Sequence, residues 1–243
     1  MSSSTYPNLP TLERPLDILV VAPHPDDAEL GMGGAITKLM KQGLNVGIVD
    51  LTNGEPTPHG SPEIRAAETV VANRALGNPW RYNLGWPNRS LEHTLERRHH
   101  LAGLFRLTRP NWIFAPYWLD AHPDHLAATE IAEAARFWSK LSKSDIPGEP
   151  FHPKRIFHYF CIHLKLVPQP SFVLDISEHW NEKEASLLAY HSQLVKGRES
   201  DDPSFIERVK EEAGFWGKSI GVRFGEPFAS REPIGLSDFQ SLV

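Results

Sequence analysis

Residues 17–34 read DILVVAPHPDDAELGMGG, and this stretch gives the clearest indication of the fold class. Its first six residues are nearly all apolar, which predicts a buried strand of a parallel sheet. Glycines and a helical pattern follow, and the order strand, turn, helix is typical of α/β proteins. The turn carries one histidine and three acidic side chains, His24, Asp26, Asp27 and Glu29. We therefore ask what ligand such an acidic turn can bind.

A phosphate is the first candidate, because many strand–turn–helix units bind one. A dinucleotide fingerprint places Gly-x-Gly-x-x-Gly directly after the strand, so that the backbone can approach the pyrophosphate. Here Gly31, Gly33 and Gly34 come too late and out of register, and carboxylates occupy the positions that would face the phosphate. Asp50, at the end of the second predicted strand, does resemble a ribose-binding acid. The acidic turn nevertheless argues against a dinucleotide.

The composition is that of an ordinary globular domain of 243 residues with a net charge of −5. This charge predicts neither nucleic acid nor an anionic membrane as a partner. Cys161 is the only cysteine, which excludes an intrachain disulfide and favours a reducing compartment. The polar start has no apolar segment of a secretory signal, and no run reaches the roughly 18 apolar residues of a membrane span. We expect a cytoplasmic protein with a flexible tail at 1–15 and a domain at 16–243.

Apolar runs alternate with helical patterns along most of the chain. The predicted strands are residues 17–22, 45–51, 112–116, 155–161 and 172–176. The predicted helices are residues 33–42, 62–76, 91–107, 126–141 and 181–190. This alternation predicts an α/β fold: a single Rossmann-like domain whose mainly parallel sheet has helices on both faces. In such sheets ligands bind outside the carboxyl ends of the strands.

A metal site explains the acidic turn better than a phosphate site does. Residues 24–26 and 122–124 both read His-Pro-Asp, and both segments follow a predicted strand. If the two strands are neighbours, the two turns meet at one edge of the sheet. Two imidazoles and one carboxylate can then bind a divalent ion and leave positions open for water. A single such segment would be read as a helix cap, but two equivalent copies favour the metal.

These motifs resemble those of a known family. Residues 24–29, HPDDAE, resemble the AHPDDE signature of the LmbE-like, or PIG-L, zinc-dependent N-acetylglucosamine deacetylases, and residues 122–125, HPDH, resemble their second signature. Residues 51–55 and 61–68 are similar to further blocks of the family. The tail, with Asp-Ile-Ser at 175–177 and Tyr-His-Ser-Gln at 190–193, is similar to the bacillithiol-biosynthesis branch.

The resemblance implies a catalytic metal centre. It assigns His24, Asp27 and His125 to Zn²⁺, although Fe²⁺ satisfies the same ligands, and it makes Asp26 the general base. Hydrolysis of an acetamide needs a nucleophile at neutral pH. Zinc lowers the pKa of a bound water to about 7, and a nearby carboxylate accepts the proton as the water attacks.

The resemblance also assigns the remaining roles. His122 is expected to stabilise the oxyanion and to protonate the leaving amine, and Asp124 to orient this imidazole and raise its pKa. Four further residues are expected to contact the substrate: Arg65, His59, Asn53 and His191. The chain departs from the family at Asp120 and Ala121, where other members often have a tyrosine or an arginine, and around His59, which replaces an arginine-bearing segment.

The expected activity is removal of the N-acetyl group from an N-acetylglucosamine conjugate, such as N-acetylglucosaminyl malate. Two alternatives remain open: a non-haem Fe(II) enzyme that uses the same two-His-one-carboxylate triad, and a hydrolase of a different N-acyl amide. The expected partner is a small amino-sugar substrate, with neither nucleic acid nor membrane. Family resemblance alone further implies a homo-oligomer, either a trimer or a hexamer.

Overall fold

The structure is a computed structural model that describes residues 5–161, 163, 168–236 and 238. The strands are β1 Ile18–Ala22, β2 Val46–Thr52, β3 Trp80–Trp86, β4 Trp112–Pro116, β5 Arg155–Tyr159, β6 Phe172–Asp175 and β7 Gly225–Ala229. The helices are α1 Asp27–Lys41, α2 Pro62–Ala75, α3 Leu95–Thr108, α4 Pro123–Trp138, α5 Trp180–Ala189, α6 His191–Leu194 and α7 Phe205–Ser219. A short 3₁₀ helix, Ser177–His179, precedes α5.

One seven-stranded sheet organises the domain, in the order β3-β2-β1-β4-β5-β7-β6. The first five strands of this order pair in parallel, and β7 runs antiparallel to both of its neighbours. Helices cover both faces, and alternate residues of each central strand point to opposite cores. In β1, Leu19 and Val21 join the core beneath α3 and α4, whereas Ile18 and Val20 join the core beneath α1. The predicted single-domain, Rossmann-like α/β fold is confirmed.

The predicted strands are all present, with ends within two residues of the prediction. Two further strands, β3 and β7, complete the sheet. β3 lies at the edge of the sheet and contains Arg81 and Asn83, and β7 contains Pro227, which removes a backbone donor. The predicted helices are present too, but α1 begins at Asp27, six residues before the predicted start. Helix α7 was missed, although Ser204 and a glutamate three residues later form a capping box.

The described part of the N-terminal segment lies against the domain. Tyr6 is buried, and its hydroxyl donates to the carbonyl of His100 at 2.6 Å. The indole nitrogen of Trp80 donates to the carbonyl of Pro10 at 3.1 Å. Within the predicted tail, residues 1–4 lie outside the described residues. No helix in the described ranges is long and apolar enough to cross a membrane.

Helix α1 is broken near its middle. The backbone of Met32 leaves the helical region, with φ −152° and ψ 28°, so neighbouring backbone groups lose their helical partners. The Lys183 ammonium donates to the carbonyl of Leu30 at 2.8 Å, and the Glu226 carboxylate accepts the amides of residues 34 and 35 at 3.0 and 2.7 Å. Lys183 and Glu226 pair with each other at 2.6 Å, and both are buried. This ion pair replaces the missing helical hydrogen bonds.

We expect Lys183→Met to destabilise the protein strongly, because it leaves the Glu226 carboxylate buried without its counter-charge. Removing one partner of a buried ion pair costs about 3–5 kcal/mol. Lys41 offers a matched control, since its ion pair with Glu182 joins α1 to α5 at the surface. Lys41→Met should lose at most about 1 kcal/mol. Urea unfolding measures both free energies, and equal losses in the two variants would contradict the assignment.

Candidate metal centre and active site

The site is formed where two neighbouring strands end. β1 pairs in parallel with β4, with Ile18 opposite Trp112 and Val20 opposite Phe114. The turns that follow these two strands therefore lie side by side at the carboxyl edge of the sheet. One turn carries residues 24–27 and the other carries residues 120–125. The adjacency on which the metal prediction depended is present.

His24, Asp27 and His125, the three predicted ligands, converge in the structure. Nδ1 of His24 lies 3.0 Å from Oδ2 of Asp27, and Nε2 of His125 lies 3.3 Å from Oδ1 of the same carboxylate. Candidate ligand atoms of the three residues all lie within 4.8 Å of one another. Two overlapping groups in the described residues are equally compact, but only this one consists entirely of buried side chains.

The donor set fits a divalent cation. Nδ1 of His125 lies 3.1 Å from Oδ2 of Asp120, which leaves Nε2 to face Asp27. That Nε2 atom is buried and has no hydrogen-bond partner among the described residues, so its lone pair is free for a metal. Two imidazoles, one carboxylate and a carboxylate behind one imidazole are a common arrangement around zinc and ferrous iron.

The electrostatics of the three side chains also favour a cation. Burial lowers the pKa of His24, but hydrogen bonds to Asp124 and Asp27 outweigh burial and raise it to about 9. Burial raises the pKa of Asp27, but the imidazoles of His125 and His24 hold it well below its usual value. The cluster thus attracts positive charge when it is empty of metal, and a divalent ion would take the place of the protons.

Asp26 lies beside this cluster in a strained conformation. It precedes α1 with φ 123°, a region that L-residues rarely adopt and that is often found at functional sites. Its Oδ2 accepts from Nη1 of Arg65 at 2.9 Å. Burial raises the pKa of Asp26 to about 7, with Arg65 acting in the opposite direction and Asp27 in the same one. A carboxylate with such a pKa can accept and release a proton near neutrality.

Arg65 holds this turn from helix α2. Its guanidinium contacts Asp26, donates to the carbonyl of Pro25 and lies 3.4 Å from Glu55. The side chain is buried and borders a cavity that the candidate ligands His24 and Asp27 also line. Arg65 was predicted to contact the substrate. The structure shows that it also fixes the position of Asp26.

His122 caps helix α4, because its Nδ1 accepts the backbone N–H of Asp124 at 3.2 Å. Burial and the nearby imidazoles of His125 and His24 lower the pKa of His122, and the opposing charge of Asp124 does not outweigh them. Asp124 therefore acts on the pKa of His122 in the expected direction, but the net shift is downward. The backbone N–H of Asp124 donates to the imidazole, whereas its carboxylate, which has an oxygen within 4.8 Å of a ring nitrogen, hydrogen-bonds to other groups.

The Asp124 carboxylate points to other groups. Its Oδ2 lies 3.3 Å from Nε2 of His24 and accepts the backbone N–H of Arg89 at 2.8 Å. Its Oδ1 accepts the backbone N–H of Leu91 at 3.2 Å. Asp124 therefore joins a predicted metal ligand to the loop between β3 and α3.

The cavity lined by His24 and Asp27 has a volume of about 240 Å³. Three predicted substrate residues do not line it. Asn53 is exposed and borders a separate groove on the other side of Arg65. The exposed His59 lies close to Gly197, and the exposed His191 begins α6. All three belong to loops or loop ends, where sequence spacing does not determine direction.

Other residues that border the cavity were not predicted. His163 follows β5, and its ring centroid lies 5.5 Å from that of His122. Gln193, two residues after His191, and the arginines Arg89 and Arg198 also line the cavity. His163 and Arg89 follow strands that end at the same sheet edge, and this position was the available signal. Asp120, treated above as a departure from the family, contacts His125.

The fold and the site together define a Rossmann-like protein with a candidate divalent-metal centre at the carboxyl ends of its parallel strands. The family described as GlcNAc-PI de-N-acetylase, PIG-L, matches residues 19–136, which include every predicted ligand. Because similarity to solved relatives also extends over most of the chain, the protein belongs to this LmbE-like family.

Three relatives illustrate the similarity. The chain is 27% identical to the diacetylchitobiose deacetylase of Thermococcus kodakarensis, over 86% of this chain and 80% of that one. The crystal structure of the conserved protein TT1542 from Thermus thermophilus is 42% identical with a TM-score of 0.83, over 91% of this chain and 97% of that one. The N,N'-diacetylchitobiose deacetylase of Pyrococcus horikoshii is 30% identical with a TM-score of 0.74, over 87% and 82%.

We expect Asp120→Asn to weaken metal binding without abolishing it. The carboxylate orients His125 and raises its basicity, and loss of such a partner typically costs about 10- to 100-fold in metal affinity. Titration of metal-free protein with Zn²⁺ in a calorimeter measures the change. Asp145→Asn is the control, because Asp145 contacts a histidine at the surface. Unchanged affinity in Asp120→Asn would contradict this role.

Proposed function

We propose that the protein is a zinc-dependent N-deacetylase that hydrolyses the acetamide of an N-acetylglucosamine conjugate. The observation that carries the proposal is the convergence of His24, Asp27 and His125, with His24, Asp27 and the neighbouring Asp26 lining one cavity. The names of the relatives support it, because they describe deacetylases of amino-sugar compounds.

His24, Asp27 and His125 would hold the ion, with Asp120 behind His125 and Asp124 behind His24. When bound, a divalent ion supplies Lewis acidity to the scissile carbonyl and makes water more acidic. We propose zinc as the resident metal, and ferrous iron is the alternative that the same donors accept.

Asp26 is the proposed general base. It borders the cavity, and its carboxylate is not among the three converging ligands. Arg65 holds it in place, and its pKa of about 7 suits a group that must take a proton from water and then release it. Adjacent residues 26 and 27 thus divide the work, since one binds the cation and the other moves a proton.

His122 is the proposed donor to the oxyanion and to the leaving amine. Its Nδ1 accepts a backbone N–H, so in the neutral imidazole the proton is on Nε2. Nε2–H is then a donor on a side chain that borders the cavity. The backbone of Asp124 fixes this tautomer.

The amino-sugar half of the substrate is common to the relatives, and the other half differs among them. They include deacetylases for diacetylchitobiose, for an inositol 2-acetamido-2-deoxyglucopyranoside and, as a probable assignment, for N-acetylglucosaminyl malate. We propose N-acetylglucosaminyl malate as a substrate of this protein. The cytoplasmic location and the trimeric or hexameric assembly stay predictions.

Acetate release tests the proposal. Zinc-loaded protein should release one acetate from each molecule of N-acetylglucosaminyl malate that it hydrolyses, as measured by a coupled acetate assay. Metal-free protein should be inactive until zinc is restored. Failure of the metal-loaded protein to release acetate from any N-acetylglucosaminide would contradict the proposed function.

We expect Asp26→Asn to keep its metal and to lose most of its activity. The amide is nearly the same size but cannot accept a proton, and loss of a general base typically costs about 100- to 10,000-fold in rate. Elemental analysis of the purified variant confirms the metal content. A turnover number near that of the unmodified protein would remove Asp26 from the mechanism.

A further inference from the structure

The cavity lined by His24 and Asp27 has buried candidate ligands at its inner end and exposed, positively charged side chains at its rim. Its inner end consists of the buried His24 and Asp27. Its rim carries two exposed arginines that come from different loops, Arg89 after β3 and Arg198 after α6. A substrate whose acetamide reaches the inner end must therefore extend its other half toward these arginines.

Arg89 is held in position before any ligand binds. Its backbone, with φ 60°, donates to Oδ2 of Asp124 at 2.8 Å, and its Nη2 donates to the carbonyl of Pro56 at 2.7 Å. A guanidinium has five N–H donors, and this hydrogen bond engages one nitrogen of Arg89. No carboxylate forms an ion pair with Arg89 in the described part of the chain. Its positive charge is thus available to a ligand.

Arg198 is also without a counter-charge among the described residues. Its guanidinium lies 5.2 Å from the ring centroid of Phe205, which also borders the cavity. The nearby carboxylate of Asp201 is paired with Arg208 at 3.0 Å, on the same loop. The adjacent carboxylate of Glu199 accepts the backbone N–H of Gly197 at 3.0 Å, so both of these acids have other partners.

The third arginine of the cavity shows the contrast. Arg65 is buried and its charge is matched by Asp26 and Glu55. Arg89 and Arg198 together leave two positive charges at the rim. Arginine presents a planar set of donors that matches carboxylate and phosphate oxygens. A neutral sugar at this position would leave these charges unused.

We propose that Arg89 and Arg198 form an anion subsite that binds a carboxylate or phosphate on the aglycone of the amino-sugar conjugate. This inference rests on the proposed function, because the acetamide has to occupy the inner end. In this proposal the two arginines at the rim make the protein selective for charged over neutral aglycones. The subsite is exposed, so its effect should weaken at high salt.

Binding of deacetylated products tests the subsite independently of catalysis. Calorimetry gives Kd for glucosaminyl malate, glucosamine 1-phosphate and methyl glucosaminide, which share the sugar and amine and differ in the aglycone. The protein should bind at least one of the two anionic ligands more tightly than the methyl glycoside. The ligand that binds more tightly shows whether the subsite prefers a carboxylate or a phosphate. The preference is the Kd for methyl glucosaminide divided by the Kd for the anionic ligand. Arg89→Ala and Arg198→Ala should each reduce this ratio about tenfold, the effect of one charged hydrogen bond. Arg198→Glu should reduce it further.

Lys196→Ala is the matched control, because it removes one positive charge from the same loop at an exposed residue that does not border the cavity. It should change the preference by no more than about twofold. Equal affinity for charged and neutral ligands, an unmoved preference in the Arg89 and Arg198 variants, or an equal loss in Lys196→Ala would each overturn the subsite. These results concern binding alone, whereas absence of acetate release would count against the deacetylase.

Discussion

The parallel pairing of β1 with β4 is the constraint on which the site depends. Residues 18 and 112 are far apart in the chain, yet their strands exchange backbone hydrogen bonds and end at the same edge of the sheet. His24 and His125 meet Asp27 only because of this register. A ligand set built from two strand ends is held by the sheet itself, which limits how far the imidazoles can separate when no ion is present.

The sequence predicted this part of the molecule well. Long apolar runs mark strands that are buried on both faces, and two His-Pro-Asp segments at strand ends predicted that His24, Asp27 and His125, the three candidate ligands, come together. The prediction failed where polar residues or proline interrupt that pattern. β7 contains Glu226 and Pro227 and still pairs with β5 and β6, because Glu226 is occupied by Lys183 and by the amides of α1.

The residues around the cavity were harder to predict, for a different reason. Asn53, His59 and His191 belong to loops whose side-chain directions depend on contacts with distant segments, and short motifs carry no information about those contacts. The same holds for Arg89, whose position depends on a hydrogen bond from its backbone to Asp124. Even Asp124, inside a recognised motif, hydrogen-bonds through its carboxylate to His24 and to two loop amides, although a carboxylate oxygen also lies within 4.8 Å of His122.

The break in α1 has a consequence for where the functional unit ends. The family match stops at residue 136, and all three candidate ligands precede that point. The broken helix that begins with Asp27, however, is tied together by Lys183 and Glu226, which belong to α5 and β7. The segment that carries the recognisable motifs is therefore not a module that could be transplanted by itself. A fusion or shortened chain that kept only the motifs would leave the helix that begins with Asp27 without the partners of its broken backbone.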